Sequence, residues 1–318
     1  MTITIGGTTI APGTEQRIDL PVARLPTQTL LSLPIHVING HKEGPHLWLS
    51  AAIHGDELNG VEIIRQVLEQ VTPQMLSGAL IAVPIVNVFG FIEQSRYLPD
   101  RRDLNRSFPG TARGSLASRL AHLFMTEVVS HCTHGIDLHT ASHHRVNLPQ
   151  IRANLDNPET YRCAQAFGAP LMMHAITRDG SLRQAAAKQG ISVLLFEAGE
   201  ALRFDQTAIQ VGVNGVLQVM ETLDMVPPTV RTNTHTPTVE SRTSKWVRAA
   251  QSGMLHLQIE LGQTVTKRQN LGFIADAFGD TQRKVQAPCH GMVIGYTQNP
   301  LVNQGDGIVH IAMIEETD

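Results

Sequence analysis

The sequence predicts an α/β protein, with a mixed central sheet covered by helices on both faces and a small all-β, barrel-like unit after it. Two observations carry this expectation. From about Pro34 to Met225, short apolar runs alternate with longer amphipathic segments, as in a sheet buried under helices. After Met225 the alternation stops, and only short β-patterned runs remain, punctuated by Gly and by Pro288-Cys289-His290-Gly291. The length of 318 residues suggests about two domains, and 42% hydrophobic with 17% charged residues is an ordinary globular balance.

In chain order, Leu47–Ile53, Leu80–Val86, Gly135–His139 and Ile191–Glu197 read as buried strands. Asp56–Val71, Gly114–Ser130, Asn157–Phe167, Ser181–Gln189 and Asp205–Leu223 read as helices. In the first of these, Val61, Ile64, Val67 and Leu68 share one helical face. Val226-Pro227-Pro228-Thr229 and the polar Arg231–Thr238 read as a linker. The expected division is 1–228, a catalytic α/β unit whose first ~30 residues form an extension, and 229–318, a β-rich unit. That unit has runs at Leu255–Leu261, Leu271–Ala275, Lys284–Ala287, Met292–Tyr296 and Ile308–Met313.

A weak internal repeat sets Ser252-Gly253-Met254-Leu255 against His290-Gly291-Met292-Val293, and the unit resembles a biotinyl/lipoyl-like barrel. Carriers of that kind place a lysine at a hairpin tip. Here the tip is Ala277-Phe278-Gly279-Asp280, and Lys284 lies past it, so no biotin or lipoate is expected.

Net charge of −3 and a pI near 6.6 give no electrostatic case for nucleic acid or an anionic membrane. The three cysteines are scattered and never in a C-x-x-C pair, which argues against a disulfide framework or a structural zinc knuckle. The N-terminus has no basic stretch followed by an apolar one, and no apolar run is long enough to span a bilayer, so a cytoplasmic protein is expected. Homo-oligomerisation is left open.

The chemistry concentrates at strand ends. The run Leu49–Ile53 stops at His54, and Glu57 follows about one helical turn on, so an imidazole and a carboxylate can grip one divalent cation. A second strand ends in Asp137-Leu138-His139, with His143 and His144 as competitors for a metal role. His54, Glu57 and His139 make a two-His, one-carboxylate set, and catalytic zinc sites use three protein ligands. A third strand runs through Val193–Phe196 into Glu197, a carboxylate suited to act as general base toward an activated water; Glu200 is its nearest competitor. Between the first two ligands lies the polar run from Arg96 to Gly110, rich in arginine forks that recognise carboxylates and oxyanions.

H-x-x-E at His54/Glu57, D-L-N-R at Asp103–Arg106, D-L-H at Asp137–His139 and the strand-terminal Glu197 occur in one order. That order resembles the succinylglutamate desuccinylase/aspartoacylase family, a deacylase branch of the zinc carboxypeptidase-like fold, over roughly Pro34–Met225. The resemblance implies one zinc per chain on His54, Glu57 and His139, with Glu197 as general base and acid. It also implies Asp103 steadying His54, Asn105 and Arg106 on a substrate carboxylate, and an oxyanion arginine best matched by Arg96, with Arg101 and Arg102 as alternatives. The expected reaction is cleavage of the amide of an N-acylated amino acid or similar small molecule. The rivals are a carboxypeptidase-type metallopeptidase and a non-catalytic binding or scaffold protein.

Overall fold

The structure of the protein, a computed structural model, is described here for residues 1–142, 144–228 and 238–314. Most of the expected linker and His143 lie outside the described residues. Four parallel strands form the centre of the sheet, in the order Ser192–Glu200, His134–Ala141, Lys42–Ala51 and Ser77–Val83. Their central stretches, such as Leu47–Leu49, Ala79–Val83 and Val193–Phe196, are apolar because both faces of the sheet are covered. Antiparallel strands flank this centre: Leu30–Asn39 and then Thr14–Arg24 on one side, Arg145–Ala153 on the other. The first 30 residues, read from sequence as an extension, thus include the whole edge strand Thr14–Arg24 and a hairpin, Ile3–Ile5 with Thr8–Ile10.

Helices Asn59–Leu68, Pro158–Phe167 and Gln206–Thr222 cover one face, burying Ile63, Ile64, Val67, Phe167, Val213 and Val216 in a shared core. Leu116–Glu127 and Leu182–Ala187 cover the other face through Leu120, Phe124, Leu182 and Ala186. Four helix starts are fixed by side chains: Ser115, Asn157, Ser181 and Asp205 each accept from a backbone N–H three residues on. Such a cap is worth about 1 kcal/mol. These five helices lie within a few residues of the stretches that periodicity predicts, whereas a further short helix, Val88–Ile92, has no counterpart among them.

After residue 238 the chain is all β. Gln282–Gln286, Asn270–Ala275, Gly253–Leu257 and Leu301–Val302 form a four-stranded antiparallel sheet in that order. Ser244–Arg248, Gly307–Ala312 and Gly291–Thr297 form a second layer across a core of Val265, Leu271, Ile274, Val293 and Ile311. This layer is continuous with the central sheet, because Gly295, Tyr296 and Thr297 pair antiparallel with Asn147, Val146 and Arg145. No residue pattern marks that seam. Backbone hydrogen bonds across it bring the C-terminal strands to the carboxyl ends of the parallel strands. No helix among the described residues is long and apolar enough to cross a membrane.

Candidate active site

The site begins where the strand Lys42–Ala51 ends. Ala52 adopts φ +49°, a left-handed conformation unusual for alanine, and the chain turns sharply into His54. The turn packs tightly: a Cβ on Gly55 would lie 1.9 Å from the backbone carbon of Gly90, so only glycine fits there. The N–H of Glu57 bonds the carbonyl of His54, which brings both side chains to one side.

His54, Glu57 and His139 are all under 5% exposed. Glu57 bridges the two imidazoles: its Oε1 lies 2.7 Å from His54 Nδ1 and its Oε2 lies 2.8 Å from His139 Nδ1. The backbone N–H of Thr140 donates to Oε2 as well. Burial alone would raise the Glu57 pKa, but the charges of His54 and His139 outweigh it and hold the carboxyl well below its usual range. Burial likewise works against charging either histidine, yet Asp137 and Glu57 drive His139 well above its ordinary value, and Glu57 and Asp103 raise His54.

The far nitrogens are tied down too. His139 Nε2 lies 2.8 Å from Asp137 Oδ2, whose other oxygen accepts from Ser50 Oγ at 2.8 Å. His54 Nε2 lies 3.2 Å from Asp103 Oδ1. With each Nε2 held by a carboxylate, both Nδ1 atoms and the Glu57 carboxylate converge, and these donors lie within 4.8 Å of one another. Two imidazole nitrogens with outer carboxylates and one shared anionic oxygen ligand fit a divalent metal such as zinc.

Arg96 reaches the same place. Its guanidinium donates to Asp103 Oδ2 at 2.9 and 3.2 Å, and its Nη1 stands 3.3 Å from His54 Nδ1 and 3.6 Å from Glu57 Oε1. Arg101 and Arg102 are exposed and absent from the cleft wall. Asp103 also caps the short 3-10 turn Leu104–Arg106 by accepting from Asn105 N–H. Asn105 in turn accepts from the N–H of Leu182 at 3.0 Å, locking the arginine loop to the helix that carries Arg183.

Glu197 sits beside His139 in the parallel ladder and lines the cleft, where its Oε2 accepts from Asn147 Nδ2 at 2.8 Å. Glu200 lies past a register shift and pairs with Arg203 at 3.3 Å, outside the cleft wall. His144 is exposed and also away from the cleft, and His143 is outside the described residues.

All the sequence-predicted site residues except Asp103, which stands behind Arg96 and His54, line one cleft of about 800 Å³. Its walls include groups that sequence reasoning missed. Asn147, Arg152 and Arg183 come from the central unit, while Trp246, Arg248 and His310 come from the C-terminal strands. No pattern in the chain flags the last three, because only the seam brings them to the site. Asp137 was legible as part of D-L-H, and its buried bond to His139 gives it a definite task. Burial lowers the Arg183 pKa to about 10, with Arg152 adding to the effect. A second trio, His134, Glu159 and Cys163, lies at the opposite end of the His139 strand, where Glu159 is already paired with His134 and Arg162.

The chain matches the family model of the succinylglutamate desuccinylase/aspartoacylase catalytic domain over residues 43–223. It is 26% identical over 301 residues to the N-α-acetyl-L-2,4-diaminobutyric acid deacetylase of Halomonas elongata, covering 90% of this chain and 86% of that one. Its fold superposes with a TM-score of 0.84 on a succinylglutamate desuccinylase/aspartoacylase from Rhodobacter sphaeroides, at 24% identity over 95% of this chain and 96% of that one. The same score relates it to the product-bound ectoine utilization protein EutE (DoeB) of Ruegeria pomeroyi, at 21% identity over 94% and 95% of the two chains. With more than half of its length matched by the catalytic-domain model, the chain belongs to the succinylglutamate desuccinylase/aspartoacylase family.

Proposed function

We propose that the chain is a zinc-dependent hydrolase, with one zinc per chain, that removes the acyl group from an N-acylated amino acid or similar small molecule. The observation that carries this reading is the bridge of Glu57 between two histidine Nδ1 atoms, with Glu197 beside His139 in the adjacent strand. The Halomonas elongata relative, whose name describes deacetylation of an N-α-acetylated amino acid, supports the substrate class. Residues 1–228 carry the chemistry, and the strands after 228 add a wall to the cleft.

A zinc ion held by His54, Glu57 and His139 would supply a Lewis acid and lower the pKa of a water to about 7. Glu197 accepts the proton of the attacking water and returns it to the leaving nitrogen. The Asn147 amide holds one of its oxygens and so orients the carboxylate toward the cleft. Arg96, fixed by Asp103, presents its free N–H groups to the oxyanion that develops on the acyl carbonyl. Asn105 and Arg106 bind the substrate carboxylate.

The test is turnover of a panel of N-acetyl and N-succinyl amino acids and C-terminal dipeptides by zinc-loaded protein. Release of free amino acid from the acyl compounds supports a deacylase. Cleavage of the dipeptides alone would favour a carboxypeptidase-type enzyme, and no turnover with any of them would favour a binding protein.

A further inference from the structure

We propose that Asn59 is a positioning residue for the base. Its buried amide latches the turn that carries Glu57 to the strand end that carries Glu197, and so fixes where the Glu197 carboxylate stands relative to the proposed metal ligands. This rests on the deacylase reading and adds to it a residue that touches neither substrate nor metal.

Asn59 opens the helix Asn59–Leu68, two residues after Glu57. Asparagine is a poor residue for a helix interior, and at a helix start its side chain ordinarily bonds the N–H groups of its own first turn. Here the cap position is Leu58, which offers no side-chain bond, and the Asn59 amide is spent elsewhere. The residue is 1% exposed and reaches positions 139 and 146 residues further along the chain. Its Nδ2 donates to the carbonyl of Ala198 at 3.2 Å, and its Oδ1 accepts from the N–H of Asp205 at 3.0 Å. A backbone carbonyl only accepts and a backbone N–H only donates, so the pair calls for a side chain that does both from separate atoms, as an amide does.

Those two bonds hold the bulge directly after the base. Glu197 stands opposite His139 in one ladder and Gln150 in the other, and both ladders then shift register. Ala198 is skipped by both, and its carbonyl is taken up by Asn59 instead. Gly199 follows at φ +72°, where a Cβ would lie 2.6 Å from Asn59 Nδ2, so the bulge closes onto the amide because this residue is glycine. Bulges beside active sites re-aim a side chain, and here the side chain is Glu197. The chain is then tied back to the same turn, with Leu202 N–H donating to the Asp56 carbonyl at 2.8 Å. Asp205, the other partner of Asn59, caps the helix Gln206–Thr222 through the N–H of Ala208.

The two ends of the latch are not equally firm. On the Glu57 side, the carbonyl of His54 holds the Glu57 N–H and the N–H of Thr140 holds the Glu57 carboxylate. A Cβ on Gly60 would lie 2.7 Å from the Cβ atoms of Ala51 and Leu138, so the first helical turn rests directly on the strands that deliver His54 and His139. On the other side, the Glu197 carboxylate is bonded by Asn147, from a strand whose ladder is itself interrupted at the bulge. Removing the Asn59 amide therefore loosens the base and leaves the ligands in place. Misplacing a reacting group by about 1 Å costs on the order of 10²-fold in rate.

The test is a double-variant cycle. Zinc-loaded wild type, Asn59→Ala, Glu197→Gln and the double variant are compared on the N-acyl amino acid that wild type turns over fastest, with zinc Kd measured on the same preparations. Asn59→Ala should lower kcat by roughly 10- to 100-fold, with KM and zinc Kd within about threefold of wild type. In the Glu197→Gln background the same change should move the residual rate by less than about twofold, because the group it positions is already gone. Hydrogen exchange on metal-free protein reads the latch without turnover: the amides of 198–205 should exchange roughly 10-fold faster in Asn59→Ala, and those of 59–68 at the wild-type rate.

Equal factors in the two backgrounds, a kcat within twofold of wild type, or unchanged exchange at 198–205 overturns the proposal. So does loss of zinc from Asn59→Ala, which would place its effect on Glu57. If Asn59→Ala does not fold, Gly199→Ala disturbs the same contact from the other strand and should show the same kcat loss and the same non-additivity; a wild-type kcat there overturns the latch. A wild type that turns over no acyl compound overturns the deacylase reading and the positioning role together, whereas an active wild type with additive changes overturns the positioning role alone.

Discussion

Asp137 offers a sharp test of how the metal ligands are held. The carboxylate is 1% exposed and bonds His139 Nε2 at 2.8 Å, with Ser50 Oγ on its other oxygen. Asp137→Asn keeps the volume and an acceptor oxygen but removes the charge that makes the imidazole a stronger donor to metal. A buried charge-assisted hydrogen bond is worth about 1.5–3 kcal/mol. Loss of a carboxylate behind a ligating histidine typically weakens metal binding roughly 10- to 100-fold, or about 1.4–2.7 kcal/mol, and the two scales agree. The zinc Kd of Asp137→Asn should therefore rise by about that factor. Competition against a chromophoric chelator at fixed pH measures it. Asn147→Ala is the control, since Asn147 touches Glu197 and none of the proposed ligands, and its zinc affinity should match wild type. An Asp137→Asn protein within twofold of wild type would show that His139 is not a ligand oriented in this way.

Two further outcomes follow from the same geometry. Arg106→Ala should mainly raise KM, by roughly 10- to 100-fold for loss of a charge-assisted contact, whereas Arg96→Ala should mainly lower kcat, by about 10²–10³-fold; steady-state kinetics on one substrate separates them, and a reversed pattern exchanges their roles. In metal-free protein, Asp137 and Glu57 raise His139 and Glu57 and Asp103 raise His54 above the ordinary histidine pKa. The stabilisation from the charged histidines is then fully present below about pH 6.5 and is lost as pH rises through the raised values. Thermal melts with chelator should show Tm falling across that window, while zinc-loaded protein should resist the fall because the metal replaces the protons. A metal-free Tm that rises over the same range would contradict the pairing.

Much of the catalytic half was legible in the chain because its signals are local. Strand ends that stop at His54, His139 and Glu197 mark the ligand side of a parallel sheet, and caps such as Ser181 and Asp205 mark helix starts within a few residues. The strand Arg145–Ala153 escaped notice because Asn147, Pro149, Gln150 and Arg152 break its apolar pattern, and Asn147, Gln150 and Arg152 serve the cleft or the seam. Thr14–Arg24 escaped because an edge strand has one solvated side and needs few apolar residues. The contribution of Trp246 and His310 could not be read at all, since it depends on strands more than 140 residues apart pairing at Asn147 and Gly295. The choice among Arg96, Arg101 and Arg102 likewise needed three dimensions: all three lie in one polar run, and only Arg96 folds back to His54.

Zinc content and turnover of the Glu197→Gln enzyme, measured on the same preparation, test the proposed division between ligands and base most directly. Glu197 bonds Asn147 and has no hydrogen bond or ion pair with His54 or His139, so the variant should retain one zinc per chain, as expected of wild type. Its kcat should fall by roughly 10²–10⁴-fold through loss of the proton acceptor. Loss of zinc from the variant would make Glu197 a ligand, and unchanged turnover with zinc bound would remove it from the chemistry altogether.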